Sequence, residues 1–535
     1  MSGADVNKSK VLLGAIAGAL LTPPLIAGFF LGWKLFGLPF APFDVFDRLA
    51  RVLPGRVVTF GIDSMVQIIR WLNLGRTDTV AKNAEQTIAV VIFLAGGIIA
   101  AATLFAVLRW MKKSALMGGS VWGTIIGAAV LLIGQERMTT NPVLGGIWTL
   151  VMFLLWGKLL GWVYQRLTAE APTAEDGDGS VKRVDRRTFL LRLGGATAAI
   201  TVVGSVLGAI ARNRRQEGQT AVKWSARHAL PNAGAPVKPV AGTRPEFTPL
   251  EKHYRIDIDT IPPAIDENSW RLKFNGLVEQ PQKMTLGQIR DYAPIHQFIT
   301  LECISNPVAG DLISTTRWTG TSMQRMLPDL KLKPGATHLK IKSADGFFET
   351  VALEKIKHDE RVMLCYAWDG VPLPTKHGFP LRIYVPDVYG MKQPKWIESI
   401  EGIDHWEPGY WVERGWSREA QINITSVIDT IAIQEKTTDA RGRNVVPIGG
   451  IAFAGARGIS KVEVRMDDGQ WHEAELRTPL SEKTWVVWRC DCPAQTGEHR
   501  FTVRCYDGNG KMQVVEPSPS YPDGATGLYS KSATL

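Results

Sequence analysis

The sequence predicts three structural classes in order along the chain: an N-terminal α-helical membrane bundle, an α+β domain and a C-terminal all-β sandwich. Three observations predict them. Uncharged apolar runs near 20 residues recur five times before residue 212. Short strands and a few helix candidates alternate with turn signals from about residue 246 to 413, and from about 421 onward only strand patterns recur. A length of 535 residues suits three or four domains, and a 45% hydrophobic content is high for a purely soluble chain.

The membrane region is read as residues 1–217. Its spans are expected at 11–33 (interrupted by Pro23 and Pro24), 88–108, 114–135, 138–160 and 189–211, each long enough to cross about 30 Å of hydrocarbon at about 1.5 Å per residue. Arg109, Lys112 and Lys113 lie between spans two and three. Arg166, Lys182, Arg183, Arg186 and Arg187 lie between four and five, whereas Glu136 and Arg137 are the only charges between three and four. These loops put the N-terminus inside and everything after span five outside, on the extracytoplasmic side of the cell membrane, against which Arg212, Arg214 and Arg215 are a blemish. The segment 39–84 is too charged to span, yet GRVVTFGIDSMVQIIRWLNLG has apolar residues at helical spacing. An interfacial helix and a helix packed in a small extracytoplasmic cap explain it equally. Residues 171–180 form an acidic small-residue linker, and 218–245 a tether rich in Pro, Gly and Ala. Arg186 and Arg187, followed by Phe189 and Leu190, resemble a twin-arginine export signal; an ordinary positive flank is the equal alternative.

Charge and ligand arithmetic narrow the function. Residues 1–223 carry 24 Lys+Arg against 13 Asp+Glu, leaving 37 against 38 for the rest. The soluble half is therefore balanced, which argues against nucleic acid as its partner. All nine His lie from His228 onward and all five Cys from Cys303 onward. The first 227 residues thus contain no imidazole pair for a membrane b-type haem, and no CxxCH for a c-type haem occurs anywhere. Any redox centre must lie in the C-terminal part.

There, SWRLKFNGLV, THLKIKS, RVMLCYAWDG, PLRIYVP and KWIESIEGI read as strands and TLGQIRDY and TSMQRML as helices, giving an α+β domain over 246–418. SVIDTIAI, VVPIGGIAFAG, KVEVRMDDGQW, TWVVWRCDC and HRFTVRCYDGNGKMQ build the sandwich over 419–520, followed by a tail at 521–535. Cys365 alternates with apolar residues and reads as core. Cys505 is placed to pair with Cys490 or Cys492, or all three are free thiols.

In LECISNPVAGDLISTTRWTG, Cys303 ends an apolar strand, and Ser305, Asn306, Pro307 and Gly310 supply a loop. On its own such a Cys is most simply a small buried hydrophobe. LECISNPV followed by GDLI and RWTG, however, resembles the cofactor loop of the sulfite oxidase family of molybdenum enzymes. A second stretch, HGFPLRIYVPDVYGMKQPKWIESIE, resembles that family's HGxPxR and VPxxxGxxxxKW segment. The resemblance covers about residues 246–520 and implies an immunoglobulin-like dimerisation domain, hence a possible homodimer. It implies molybdenum held by a pyranopterin (molybdopterin), with Cys303 as the protein's metal ligand, a soft thiolate suited to such a centre. It further implies that His377, Arg382 and Lys395 contact the cofactor, its phosphate being suited to a planar guanidinium fork and a point charge. By position, Asp345, Asn306 and Ser305 join the cofactor set and Arg255 falls at an active-site arginine that would attract an oxyanion. One departure is noted. A family tyrosine near the metal, about twenty residues after the Lys-Trp pair, is matched here by Trp416, with Tyr410 nearby and Arg414 as an adjacent cation. Sulfite as substrate is thereby put in doubt.

The expected function is oxygen-atom transfer on a small molecule: sulfite, another sulfur oxyanion or a sulfoxide. A separate cytochrome or a quinone would complete the electron circuit. Two alternatives stand beside it: a sulfoxide-type reductase using the same cofactor, and a non-enzymatic membrane-anchored binding module that has lost it.

Overall fold

The computed structural model describes residues 3–110, 114–134, 142–168, 186–218, 230–368, 370–438, 442–493 and 495–535. Lys112, Lys113, Glu136, Arg137, Lys182, Arg183, the acidic linker and the first part of the tether lie outside them. Two compact units result. The first comprises residues 1–53, 82–221 and 259–261, and the second residues 54–81, 222–258 and 262–535.

Helices α1 (Gly3–Phe36), α2 (Ala41–Val52), α3 (Gly55–Trp71), α4 (Thr77–Leu108), α5 (Ala115–Gly134), α6 (Pro142–Thr168) and α7 (Arg186–Gly218) make up the N-terminal half. Five of them, α1, α4, α5, α6 and α7, are long and apolar enough to cross a membrane. Their contacts use small residues, because lipid offers no hydrophobic penalty to drive association and close backbone approach must supply the attraction. A Cβ on Gly157 of α6 would lie 2.2 Å from the Gly119 carbonyl oxygen of α5, and one on Gly123 2.2 Å from the Phe153 carbonyl oxygen. Phe29, Leu104, Phe105 and Leu160 fill the core of this unit.

Helix α3 belongs to the second unit. Thr59, Val66 and Ile69 are its buried residues, while Val57, Phe60, Ile68 and Trp71 are exposed on the opposite side. Its first residue packs on the soluble half: a Cβ on Gly55 would fall 2.6 Å from the Arg414 Cα.

The α+β region holds two sheets. One orders β2 (Gln282–Met284), β1 (Leu272–Gly276), β10 (Ile397–Ile403), β5 (His338–Ser343) and β6 (Phe348–Ala352), with β1 and β10 parallel. The other orders β3 (Pro294–Glu302), β4 (Ile313–Ser322), β7 (Met363–Trp368) and β8 (Val371–Pro372), with β9 (Arg382–Tyr384) also on β7. Helices α8 (Leu286–Arg290), α9 (Met323–Leu330) and α10 (Leu353–His358) lay Leu286, Ile289, Met323, Met326 and Ile356 on the shared core. A Thr285 capping box starts α8, its hydroxyl accepting from the Gln288 N–H.

Two further sheets follow. One contains β11 (Thr425–Ile431), β12 (Thr437–Thr438), β13 (Asn444–Phe453), β17 (Val486–Pro493) and β16 (Glu475–Leu476); the other β15 (His472–Glu473), β14 (Ile459–Met466), β18 (Glu498–Asp507) and β19 (Tyr529–Thr534). Val446, Ile448 and Trp488 of one meet Val462, Phe501 and Val503 of the other in one core, as two sheets with apolar inner faces should. The last residues are not a tail: Tyr529–Thr534 pairs with β18 as an edge strand, too polar in its alternation to be read as one. Nor is the described part of the tether free. Arg477 donates to the carbonyls of Asn232 (2.9 Å) and Val237 (2.6 Å) and pairs with Glu246 (2.9 Å), because a buried guanidinium needs acceptors and a Pro- and Gly-rich segment leaves its carbonyls available. All five cysteines are free. Cys505 is unpaired and lies beside Gln513, 3.5 Å from its Oε1, on the opposite sheet from Cys490 and Cys492.

Candidate functional site

Strand β3 ends at Glu302, and the chain turns through residues 303–312 before β4. The Cys303 N–H donates to the Leu312 carbonyl (3.0 Å) and the Asn306 N–H to the Cys303 carbonyl (2.9 Å). The Asn306 side chain braces the loop, donating to Glu302 Oε1 (2.9 Å) and accepting from the Leu312 N–H (3.0 Å). Gly310 is required here, since a Cβ would sit 2.2 Å from Asn306 Oδ1. The buried Cys303 Sγ lies 3.0 Å from Ser305 Oγ. Burial pushes its thiol up, opposed by the hydrogen bonds from Ser305. Burial likewise lifts Glu302 to about 7.

A second loop, after β8, brings His377, and β9 begins at Arg382 opposite Cys365 of β7. Gly378, at φ +113°, lets this loop lie against both the Arg382 and Lys395 stems, to which a Cβ would come within 3.1 and 3.2 Å. Arg382 Nη1 donates to the His377 carbonyl (3.1 Å), and its guanidinium lies 4.7 Å over the Trp318 ring. No carboxylate is paired with it among the described residues. Lys395 Nζ donates to the Ile256 carbonyl (2.9 Å) and to Asp257 Oδ2 (3.2 Å), while Arg255 grips the same Asp257 at 2.7 Å. Burial lowers Lys395 to about 8 against the opposing pull of Asp257, with Arg382 and Arg255 adding to the fall. Asp345 is buried in the β5–β6 turn and accepts from the Phe347 N–H (3.0 Å).

Of the ten residues expected from sequence, Cys303, Ser305 and Asn306 thus share one loop, His377 and Arg382 adjoin, and Arg255 and Lys395 meet through Asp257. Arg414 and Trp416 lie on the segment between β10 and β11. Trp416 packs with Ile304, Tyr389 and Met391 in a cluster separate from that of Cys303, edge-on to Tyr521. Arg414 lies over the Tyr410 ring (3.6 Å), and it is Tyr410 that leans on Phe347, beside the Asp345 turn (5.6 Å). Cys365 is core, pushed up to about 12 by burial.

Sequence reasoning missed His253. Its ring lies 5.2 Å from that of His377, and the Nε2 atoms of both are buried without a hydrogen-bond partner. The only local signal for it is its place two residues before Arg255. Burial lowers His253 to about 3, aided by the Arg382, Lys376 and Lys395 charges and opposed by its hydrogen bond to the Tyr254 carbonyl. The folded imidazole therefore stays neutral while an unfolded one protonates below 6.5. Stability is present above that pH and is lost as pH falls from about 6.5 toward 3, by roughly 2 kcal/mol at pH 5. Thermal unfolding of cofactor-free protein is expected to show this acid loss, and His253→Gln to flatten it. An unchanged slope in the variant would reject the assignment.

Residues 259–411 match the oxidoreductase molybdopterin-binding domain and residues 417–520 the Mo-co oxidoreductase dimerisation domain. Residues 259–520 thus carry, in order, the two domains of a sulfite-oxidase-type molybdenum oxidoreductase. It is 26% identical over 303 residues to the mitochondrial sulfite oxidase of Rattus norvegicus, covering 48% of this chain and 55% of that one. To the NADPH nitrate reductase of Fusarium oxysporum it is 28% identical over 275 residues, covering 42% and 30%. The chain spans a little over half the length of the mammalian sulfite oxidases it matches. Among solved structures it is similar to the sulfane dehydrogenase SoxCD of Paracoccus pantotrophus at 20% identity, TM-score 0.44, over 52% of this chain and 78% of that one. Residues 9–175 match a family of unknown function, DUF6789.

The molybdopterin-binding domain match implies a molybdenum–molybdopterin cofactor, and the residues present fit it. The Cys303 thiol, in a loop rather than within a strand, is available as a soft donor, and among the described residues no trio of His, Cys, Asp or Glu converges to bind a metal without the pterin. Two bare imidazole nitrogens and a guanidinium without a carboxylate are the groups a buried anionic cofactor would satisfy.

Proposed function

We propose that the chain is a membrane-anchored, extracytoplasmic oxidoreductase that transfers an oxygen atom on a small sulfur oxyanion, with sulfite as the first candidate. The observation that carries this reading is the set of buried or half-buried cations, Arg255, Lys376, Arg382 and Lys395, near the buried Cys303 thiol at the end of β3. When bound, the molybdopterin supplies oxygen-atom transfer and a two-electron change at the metal. Cys303 serves as the protein's ligand to it. His377 and Arg382 hold the pterin's anionic tail with Lys395, while Ser305, Asn306 and Asp345 shape the loops around it. Arg255 draws in the oxyanion. Tyr410, beside the Asp345 turn, takes the part expected of the family tyrosine, which lifts the objection to sulfite raised by Trp416. The two sheets after residue 419 act as an immunoglobulin-like dimerisation module, and electrons leave to a separate cytochrome or a quinone.

The test is to purify the full chain from membranes, measure molybdenum and pterin per chain, and assay sulfite with ferricyanide as acceptor. About one molybdenum per chain with sulfite-dependent reduction of ferricyanide is expected. Full cofactor with turnover only in the direction of sulfoxide reduction would replace the oxidase reading by the reductase one.

Arg186 begins α7, and in this reading the pair Arg186 and Arg187 forms a twin-arginine signal that exports a domain already folded around its cofactor. Replacing both by Gln is expected to leave the soluble half on the cytoplasmic side, as read by protease protection in spheroplasts. Unchanged export would make them an ordinary positive flank.

A further inference from the structure

The short segment ahead of the second membrane-length helix meets two walls of the site. Asp78 is buried, and its Oδ2 accepts from the backbone N–H of Arg255 at 2.9 Å. Arg76 holds the same carboxylate through Nε (3.2 Å) and Nη2 (2.9 Å). The Thr77 N–H donates to Asp311 Oδ2 at 2.9 Å, and Asp311 lies in the 303–312 loop that begins at Cys303. From Arg255 the polar chain continues inward through Asp257 to Lys395. Burial lowers the Lys376 pKa, Arg255 and Arg76 add to that fall, and Asp78 opposes it.

The local backbone explains why such a contact matters. Residues 254–257 lie in no strand or helix, so no ladder orients the Arg255 amide. A hydrogen bond from a backbone N–H to a buried carboxylate is charge-assisted and fixes the donor more tightly than a neutral one. Arg76 keeps 36% of its side chain exposed while its Nε and Nη2 hold Asp78, the carboxylate that also accepts from the Arg255 N–H.

We propose that residues 76–78 form a wall of the molybdopterin site, Asp78 being a positioning residue for Arg255 and Arg76 an additional cation at the mouth for an anionic substrate. The region matched to a family of unknown function, residues 9–175, then contributes part of the active centre. The assignment of Arg76 rests on the oxyanion reading above; that of Asp78 does not.

The experiment compares full-length holoenzyme with its Asp78→Ala, Asp78→Asn and Arg76→Gln variants. It reads molybdenum per chain, hydrogen exchange of the peptide spanning residues 253–258, and KM and kcat for sulfite. In Asp78→Ala, exchange at Arg255 is expected to quicken by about tenfold or more with metal content unchanged. KM should rise about tenfold with kcat altered less than about threefold. Asp78→Asn keeps an acceptor and should recover most of the protection, and Arg76→Gln should raise KM alone and weaken its dependence on salt. Exchange at wild-type rate in Asp78→Ala would overturn the proposal. So would faster exchange throughout the soluble half with metal loss that Asp78→Asn does not rescue, which is the mark of a purely structural contact. If the wild type holds molybdenum but does not oxidise sulfite, the substrate reading fails, and the exchange data alone decide whether Asp78 positions Arg255.

Discussion

Cys303→Ala is expected to abolish turnover while the protein still folds and inserts in the membrane. The substitution removes one sulfur from a buried position whose backbone is held independently, by the Leu312 carbonyl and by Asn306. The resulting void should cost about 1–2 kcal/mol, well within what a domain of this size tolerates. The chemistry has no such reserve. Losing only the hydrogen-bonded support of a metal ligand typically costs 10–100-fold, about the least that loss of the ligand itself can cost. Ser305 Oγ, 3.0 Å from the sulfur, is a hard donor and a poor replacement for a thiolate at this metal. Turnover and molybdenum content measured on the same sample check the prediction. Full metal content with wild-type turnover in the variant would show that the thiolate is not the ligand.

Arg382→Met should separate stability from function. The guanidinium is buried, lies over Trp318, makes one hydrogen bond to a carbonyl and has no paired carboxylate among the described residues. Burial alone lowers its pKa, with only the Cys365 and Tyr254 groups opposing. A buried cation without a counter-ion is costly, and an apolar side chain of similar length removes that cost. Cofactor-free Arg382→Met is therefore expected to be more stable than cofactor-free wild type, by about 1–3 kcal/mol. Pterin content should fall by more than about tenfold, because the planar fork that would hold an anionic tail is gone. Thermal unfolding and pterin analysis of both proteins check the two halves separately. A variant that loads cofactor as the wild type does would remove Arg382 from the binding set.

Much of this architecture was legible because it rests on local signals. Five uncharged runs marked the five long apolar helices, and two motifs marked the loops at Cys303 and at His377 to Lys395. What escaped has a common cause, which is that its partners lie far away in sequence. His253 reads as an isolated histidine until β9 brings His377 beside it. Residues 54–81 read as a segment too charged to span that holds an interfacial or cap helix, and nothing local says that Asp78 will meet Arg255, 177 positions later. The C-terminal strand is polar because only one of its faces is covered, and pairing with β18, rather than periodicity, makes it a strand. Trp416 and Tyr410 lie within one short aromatic segment, GYWVERGWS, where a shift of a few residues changes which ring is matched and only packing decides.

The division of the second unit between residues 54–81 and the chain after 222 also bears on membrane topology. Two pieces that pack together must finish on one face of the bilayer. Four membrane-length helices, α4 to α7, separate them, and if each crosses, the even number returns the chain to the face it left. Loss of any one of the four would leave the pieces on opposite faces, however well each folded. Assembly is ordered in time as well. In the proposed topology, residues 54–81 would reach their face as a loop between the first two crossings, before the molybdopterin domain has been synthesised. A domain exported already carrying its cofactor would then meet a wall waiting for it, and its site would be completed only on arrival.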